Sequence, residues 1–267
     1  MIKDLKFSKV LWLLIACLSL MAAGMGVFNQ DIYSKVVSSD LLPGTVAQDA
    51  ITIIVGMILL FLSLKTDAVD IKKQIVAMSL LAYLFYGYGI YVIERIYNPL
   101  YLLYMAIMAL SFWSIVYGLA NLNQDIVGQI KTSKLVRYLS AGCLLFTTLL
   151  FYFLWTGSLL PLMRTGEKIE FSYSIFILDM VFVLPAILIS GILLLKKKAL
   201  GLIVAPILFF KAFTLLFSVG LGGLMALLYG QTVDQGEIAF YLILSVIYLA
   251  FAALNFWKIN FQEPNQL

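Results

Sequence analysis

Asp179 is a lone carboxylate in the apolar run Ile175-Phe176-Ile177-Leu178-Asp179-Met180-Val181-Phe182-Val183-Leu184-Pro185. Lys211 is a lone ammonium in Ala205-Pro206-Ile207-Leu208-Phe209-Phe210-Lys211-Ala212-Phe213. Opposite charges on neighbouring apolar segments can neutralise each other, grip a polar solute or relay a proton. Tyr83, Tyr86, Gly87, Tyr91 and Glu94 recur at helical spacing and so share one face. Asp49 opens another apolar run; as an acid in a first helical turn it would complement the helix dipole, and beside the other groups it adds a second carboxylate to the set. Asp179, Lys211, Tyr83, Tyr86, Glu94 and Asp49 are therefore the candidate lining of a polar cavity.

The elements that must position these groups follow from composition. The chain is 63% hydrophobic and 12% charged, with a mean hydropathy of +1.02. Soluble domains run at about half apolar and a quarter charged, so lipid is the solvent here. A helix needs ~20 mostly apolar residues to cross ~30 Å of hydrocarbon. Segments meeting that requirement lie at roughly 10–28, 48–64, 74–93, 99–120, 137–160, 172–195, 199–228 and 237–257. The expected fold is all-α, a polytopic transmembrane bundle of eight spans forming a single integral membrane domain over 1–267. Two stretches share an order of Leu-Leu-Pro, a loop, and then an Asp in the next helix, which ends in lysine: Leu41-Leu42-Pro43 with Asp49, and Leu159-Leu160-Pro161 with Asp179. That order suggests a parallel 4+4 duplication with halves 1–121 and 136–260.

Depth can be read from the same ruler. Asp179 lies about 8 residues below the start of its segment, or roughly 12 Å, and Lys211 lies about 12 residues into the next, which leaves it ~12 Å from the same face of a ~30 Å core. The sequence thus predicts a direct or water-bridged pair on consecutive helices. Tyr83 and Tyr86 fall at a similar depth, whereas Tyr91, Tyr97, Tyr101 and Tyr104 read as an interfacial aromatic belt.

With the first residue on the cytoplasmic side, the inner segments hold thirteen of the eighteen Lys and Arg residues and the outer segments hold Lys35, Arg95, Arg164 and Lys168. That bias places both termini in the cytoplasm. The net charge of +4 then reflects topology, and no nucleic-acid partner is implied. The basic start and apolar run of the first segment resemble a signal peptide, and Leu14-Ile15-Ala16-Cys17 matches a lipoprotein cleavage box. The run continues to Phe28, however, long enough to span, so an uncleaved first helix is expected. Cys17 and Cys143 both read as small buried residues within spans. The absence of histidine, CxxC, a phosphate-binding glycine loop and a nucleophile motif leaves metal, cofactor and hydrolase readings without support.

Several stretches carry a resemblance: Asn98-Pro99-Leu100, Leu178-Asp179 with Leu184-Pro185, the basic turn Lys196-Lys197-Lys198, and Pro206. Through them the chain, from its second to its seventh span, resembles a family of bacterial polytopic integral membrane proteins with no assigned activity. The resemblance implies a bacterial inner-membrane location. It brings no substrate, cofactor or catalytic role. Relatives often carry an acid just ahead of the Pro161 position, where this chain has Ser158, and a histidine shortly before the Leu-Asp pair, where it has Phe176.

Three function classes fit. A transporter or permease for a small polar or amphipathic solute ranks first, because ionised groups at membrane depth are functional by default and Pro185 and Pro206 break helices near them. A module that senses a lipid or small ligand in the same cavity is the alternative. An intramembrane enzyme using one carboxylate as a base ranks last. The bilayer is the one partner that composition demands, and the oligomeric state is left open.

Overall fold

The structure is a computed structural model and describes residues 1–169 and 172–261. Residues 262–267 of the expected domain lie outside the described residues. Eight helices are long and apolar enough to cross a membrane. In chain order the elements are α1 (Leu5–Phe28), a 3₁₀ turn (Gln30–Tyr33), α2 (Leu42–Lys65), α3 (Ile71–Ile93), α4 (Tyr101–Ala120), the short α5 (Gln124–Gly128), β1 (Ile130–Lys131) and α6 (Lys134–Thr165). There follow α7 (Tyr173–Ile177), a π-helical turn (Leu178–Val183), α8 (Leu184–Leu195), α9 (Ala199–Leu228), α10 (Gln235–Lys258) and β2 (Asn260–Phe261). α7, the π turn and α8 together form one span, Tyr173–Leu195.

Local chemistry sets the helix ends. Asp4 accepts from the Phe7 N–H at 3.2 Å at the start of α1, Ser133 caps α6 through Val136 N–H, and Asp234 caps α10 through Gly236 N–H. Gly166 closes α6 in the left-handed conformation at φ 69°. The second span begins at Leu42 rather than near 48, because Pro43 sits in the first turn, where its missing N–H leaves nothing unsatisfied. Asp49 is therefore seven residues inside α2, not at its mouth, and the dipole account of it fails.

α3 is the axis of the bundle: 78% of its apolar window is buried, against 17% for α6 at the periphery. It packs on α2, α4, α7 and α9; α1 packs on α2 and α4, α10 on α9, and α6 on α8. Neighbour pairs recur between residues 1–121 and 136–260. α1 on α2 matches α6 on α8, α3 on α4 matches α9 on α10, α2 on α3 matches α8 on α9, and α1 on α4 matches α6 on α10. The two sets meet where α9 packs on α2 and α3.

The two ends of the bundle differ. At the lysine-rich end, Ile2 bridges to Leu122, Lys3 N–H donates to the Asn121 carbonyl at 2.8 Å, Ile2 N–H donates to Gln74 Oε1 at 2.9 Å, and β1 pairs antiparallel with β2. The opposite end carries the connections 29–41 and 229–234 and the site described next. Cys17 lies on the exposed surface of α1 rather than buried, and Cys143 is partly buried.

Candidate functional site

The expected groups fall into two polar centres and one cavity. The first centre is built on the π turn. Pro185 offers no N–H to the preceding turn, and the chain accommodates it by widening Leu178–Val183 into π geometry. The Tyr152 hydroxyl donates to the Met180 carbonyl in that turn at 3.2 Å. Asp179, also in the turn, accepts from Trp155 Nε1–H at 3.0 Å and faces the Tyr86 hydroxyl. Lys211 is 4% exposed, and its Nζ lies 3.6 Å from the centroid of the Tyr86 ring.

Of the direct or water-bridged pair expected between Asp179 and Lys211, the direct form is not present. Among the described residues no carboxylate oxygen lies within 4.0 Å of Lys211 Nζ. The Tyr86 ring holds the ammonium by a cation–π contact, and Asp179 is close enough to the Tyr86 hydroxyl to act on it, so the phenol neighbours both charges. The charges still act on each other at this longer range. Tyr83 and Tyr86, at 1% and 2% exposure, face the protein interior and not lipid. Tyr83 shares a hydrogen bond of 3.3 Å with Thr52 and donates to the Gln48 carbonyl at 3.2 Å.

The second centre is Asp49, at 2% exposure. Its Oδ2 accepts from the Tyr33 hydroxyl at 2.6 Å and its Oδ1 from the Tyr91 hydroxyl at 3.2 Å. No Lys or Arg nitrogen lies within 4.0 Å of it among the described residues. The carboxylate presses on the backbone of α1 at Gly26, where a Cβ would overlap Asp49 Oδ2 and the Tyr33 hydroxyl. Tyr33, in the 3₁₀ turn outside the spans, is held well above its ordinary pKa by burial, then by the adjacent Asp49 and Tyr104, so it remains a donor. Tyr91 and Tyr104 are thus not interfacial residues. Both are buried, with ring centroids 5.1 Å apart, and Tyr104 accepts from Asn98 Nδ2 at 2.9 Å. Tyr97 is 64% exposed.

The cavity lies between α2, α3, α7 and α9 at the end opposite the lysines and encloses about 360 Å³. Gln48, Tyr91, Glu94, Ser174 and Ser218 supply polar groups to its wall, and Ile90, Leu215 and Val219 supply apolar ones. Glu94 follows the last residue of α3 and ties it to α7: its Oε1 accepts from Ser174 N–H at 3.0 Å and from Ser174 Oγ at 2.5 Å. The Tyr173 hydroxyl donates to the Ile93 carbonyl beside it.

Of the six expected lining residues, Glu94 alone is in this wall. Asp49 sits one side chain behind it, beyond Tyr91, and Tyr83 bonds to Gln48, another wall residue. Asp179, Lys211 and Tyr86 form a separate centre. Trp155, Tyr33, Gly26, Gln48 and Ser218 were not singled out from the sequence. Trp155 alone had a signal, as the only indole in its span. Comparison with family models, with curated proteins and with solved structures returned no match.

Proposed function

We propose that this multi-pass membrane protein is a carrier for a small polar or amphipathic solute, with both termini cytoplasmic and the cavity open to the outer side. The observation that carries the reading is the position of the cavity. Its wall is drawn from α2 and α3 of residues 1–121 and from α7 and α9 of residues 136–260, so it straddles the boundary between two sets of helices with matching neighbour pairs. Carriers built from repeated bundles hold their solutes at such boundaries and expose them by rocking one bundle on the other. A volume of about 360 Å³ suits a small organic molecule. At the lysine-rich end, hydrogen bonds tie the loops and termini together, which is consistent with access from the other end.

The test is a thermal-shift screen of small polar and amphipathic solutes on detergent-purified protein, followed by uptake of each stabilising solute into proteoliposomes. A carrier gives stabilisation and saturable uptake, and both are weakened by Ser218→Leu, which fills the cavity. Stabilisation without uptake would replace the carrier by a ligand-sensing module. Reporter fusions after Lys198 and Leu267 should both read cytoplasmic; an external reading at either overturns the orientation.

A further inference from the structure

Among the described residues the cavity wall carries acids and no bases: it includes Glu94 and Asp40, and no Lys or Arg. Asp40 is exposed at the rim. No Lys or Arg nitrogen lies within 4.0 Å of Glu94 among the described residues: Ser174 donates twice to Oε1, while Oε2 is buried with no hydrogen-bond partner. Asp49 adds a third carboxylate behind Tyr91. Two cations near the cavity are engaged with aromatic rings. Arg95, next in sequence to Glu94, lies over the Tyr173 ring at 5.8 Å and is not in the wall. Lys211 is four residues from the wall residue Leu215 along α9, roughly 6 Å further into the bundle, and sits on Tyr86.

A concave site with low-dielectric walls concentrates the field of its charges, so uncompensated carboxylates raise the local concentration of cations. The rest of the wall is apolar enough to strip water from a hydrocarbon body, through Ile90, Ile175, Leu215 and Val219. We infer that the solute bound in this cavity is an amphipathic organic cation, an ammonium or guanidinium group on an apolar body, with its charged head toward Glu94. The inference deepens the carrier reading by naming the solute class. It concerns binding at equilibrium, so it stands or falls separately from transport.

The test uses three probes with one skeleton at pH 7: 3-phenylpropylamine as the cation, 3-phenyl-1-propanol as the neutral form and 3-phenylpropionate as the anion. Titration calorimetry on the purified wild-type chain should show the amine binding about tenfold tighter than the alcohol, with the propionate weakest, as expected for one added charge-assisted contact. Glu94→Gln keeps an acceptor for Ser174 and should abolish the preference for amine over alcohol. Asp40→Asn, at the exposed rim, leaves the packed interior untouched. It should weaken amine binding by about threefold or less, an effect that shrinks as salt is raised. If Glu94→Gln does not fold, the wild-type probe series still decides the matter. Equal binding of amine and alcohol, preference for the propionate, no binding of any probe, or an unchanged preference in a folded Glu94→Gln protein would overturn the inference. Amine binding without uptake sinks the carrier reading and leaves the cation site intact.

Discussion

At the scale of single residues, the centre around Asp179 shows how a membrane protein can hold two charges without joining them. Trp155 donates to the carboxylate, and the Tyr86 ring receives the ammonium. Removing either charge leaves the other buried without its long-range counterpart, which costs more than removing both. Asp179→Asn and Lys211→Met should each lower stability in a reversible unfolding assay, and the double variant should recover part of the loss, with a coupling of roughly 0.5–3 kcal/mol. Additive losses would mean that Tyr86 screens the two groups completely. The common depth of Asp179 and Lys211 was legible in the sequence, because depth needs only a count of residues. The ring beside both was not, because depth says nothing of rotation about a helix axis. Tyr91 and Tyr104 were misread for a related reason. A tyrosine near the end of a span looks interfacial until a buried acceptor is placed beside it, and Asp49 could not be so placed while α2 was taken to begin at its doorstep.

At the scale of elements, two departures from a regular helix do the positioning. One is the π turn, foreshadowed by Pro185 though not by any local signal for where the extra residue would fall. The other is the close approach of α1 to α2 at Gly26, which lets Asp49 and Tyr33 meet against bare backbone. Gly24 is the natural comparison, since a Cβ there would meet nothing within 4 Å. Gly26→Ala should therefore destabilise by about 1–3 kcal/mol through overpacking, or more if Asp49 loses a tyrosine partner. Gly24→Ala should be neutral or stabilising by up to about 1 kcal/mol through helix propensity. Matching effects at the two sites in an unfolding assay would mean that Asp49 does not rest on α1. Nothing in the sequence separates these glycines, two residues apart in the same apolar helix. Only the partner helix does.

At the scale of the whole molecule, the eight spans were legible because lipid demands long apolar segments, and the lysine-rich end because charge is visible residue by residue. The cavity was not, because it lies where helices distant in sequence diverge. Its mouth is shaped by a close crossing of α2 and α9: a Cβ on Gly222 would come within 3.0 Å of the Gly44 Cα, across the boundary between the two sets of helices. The neighbouring Gly223 faces the other way, onto the Ile238 side chain of α10 within its own set, where a Cβ would lie 2.6 Å from a side-chain carbon. Alanine at either position strains one helix contact, so both variants should lose stability on the order of 1–3 kcal/mol. Their effects on transport should differ. If rocking of one set on the other opens and closes the cavity, Gly222→Ala wedges the moving boundary, whereas Gly223→Ala disturbs a contact that travels as a unit. Uptake per folded molecule should then fall severalfold more in Gly222→Ala than in Gly223→Ala, while equilibrium binding of the same solute changes less than uptake in both. Parallel losses of uptake in the two variants, each matching its loss of folded protein, would place the moving boundary elsewhere or show that the two sets do not move against each other.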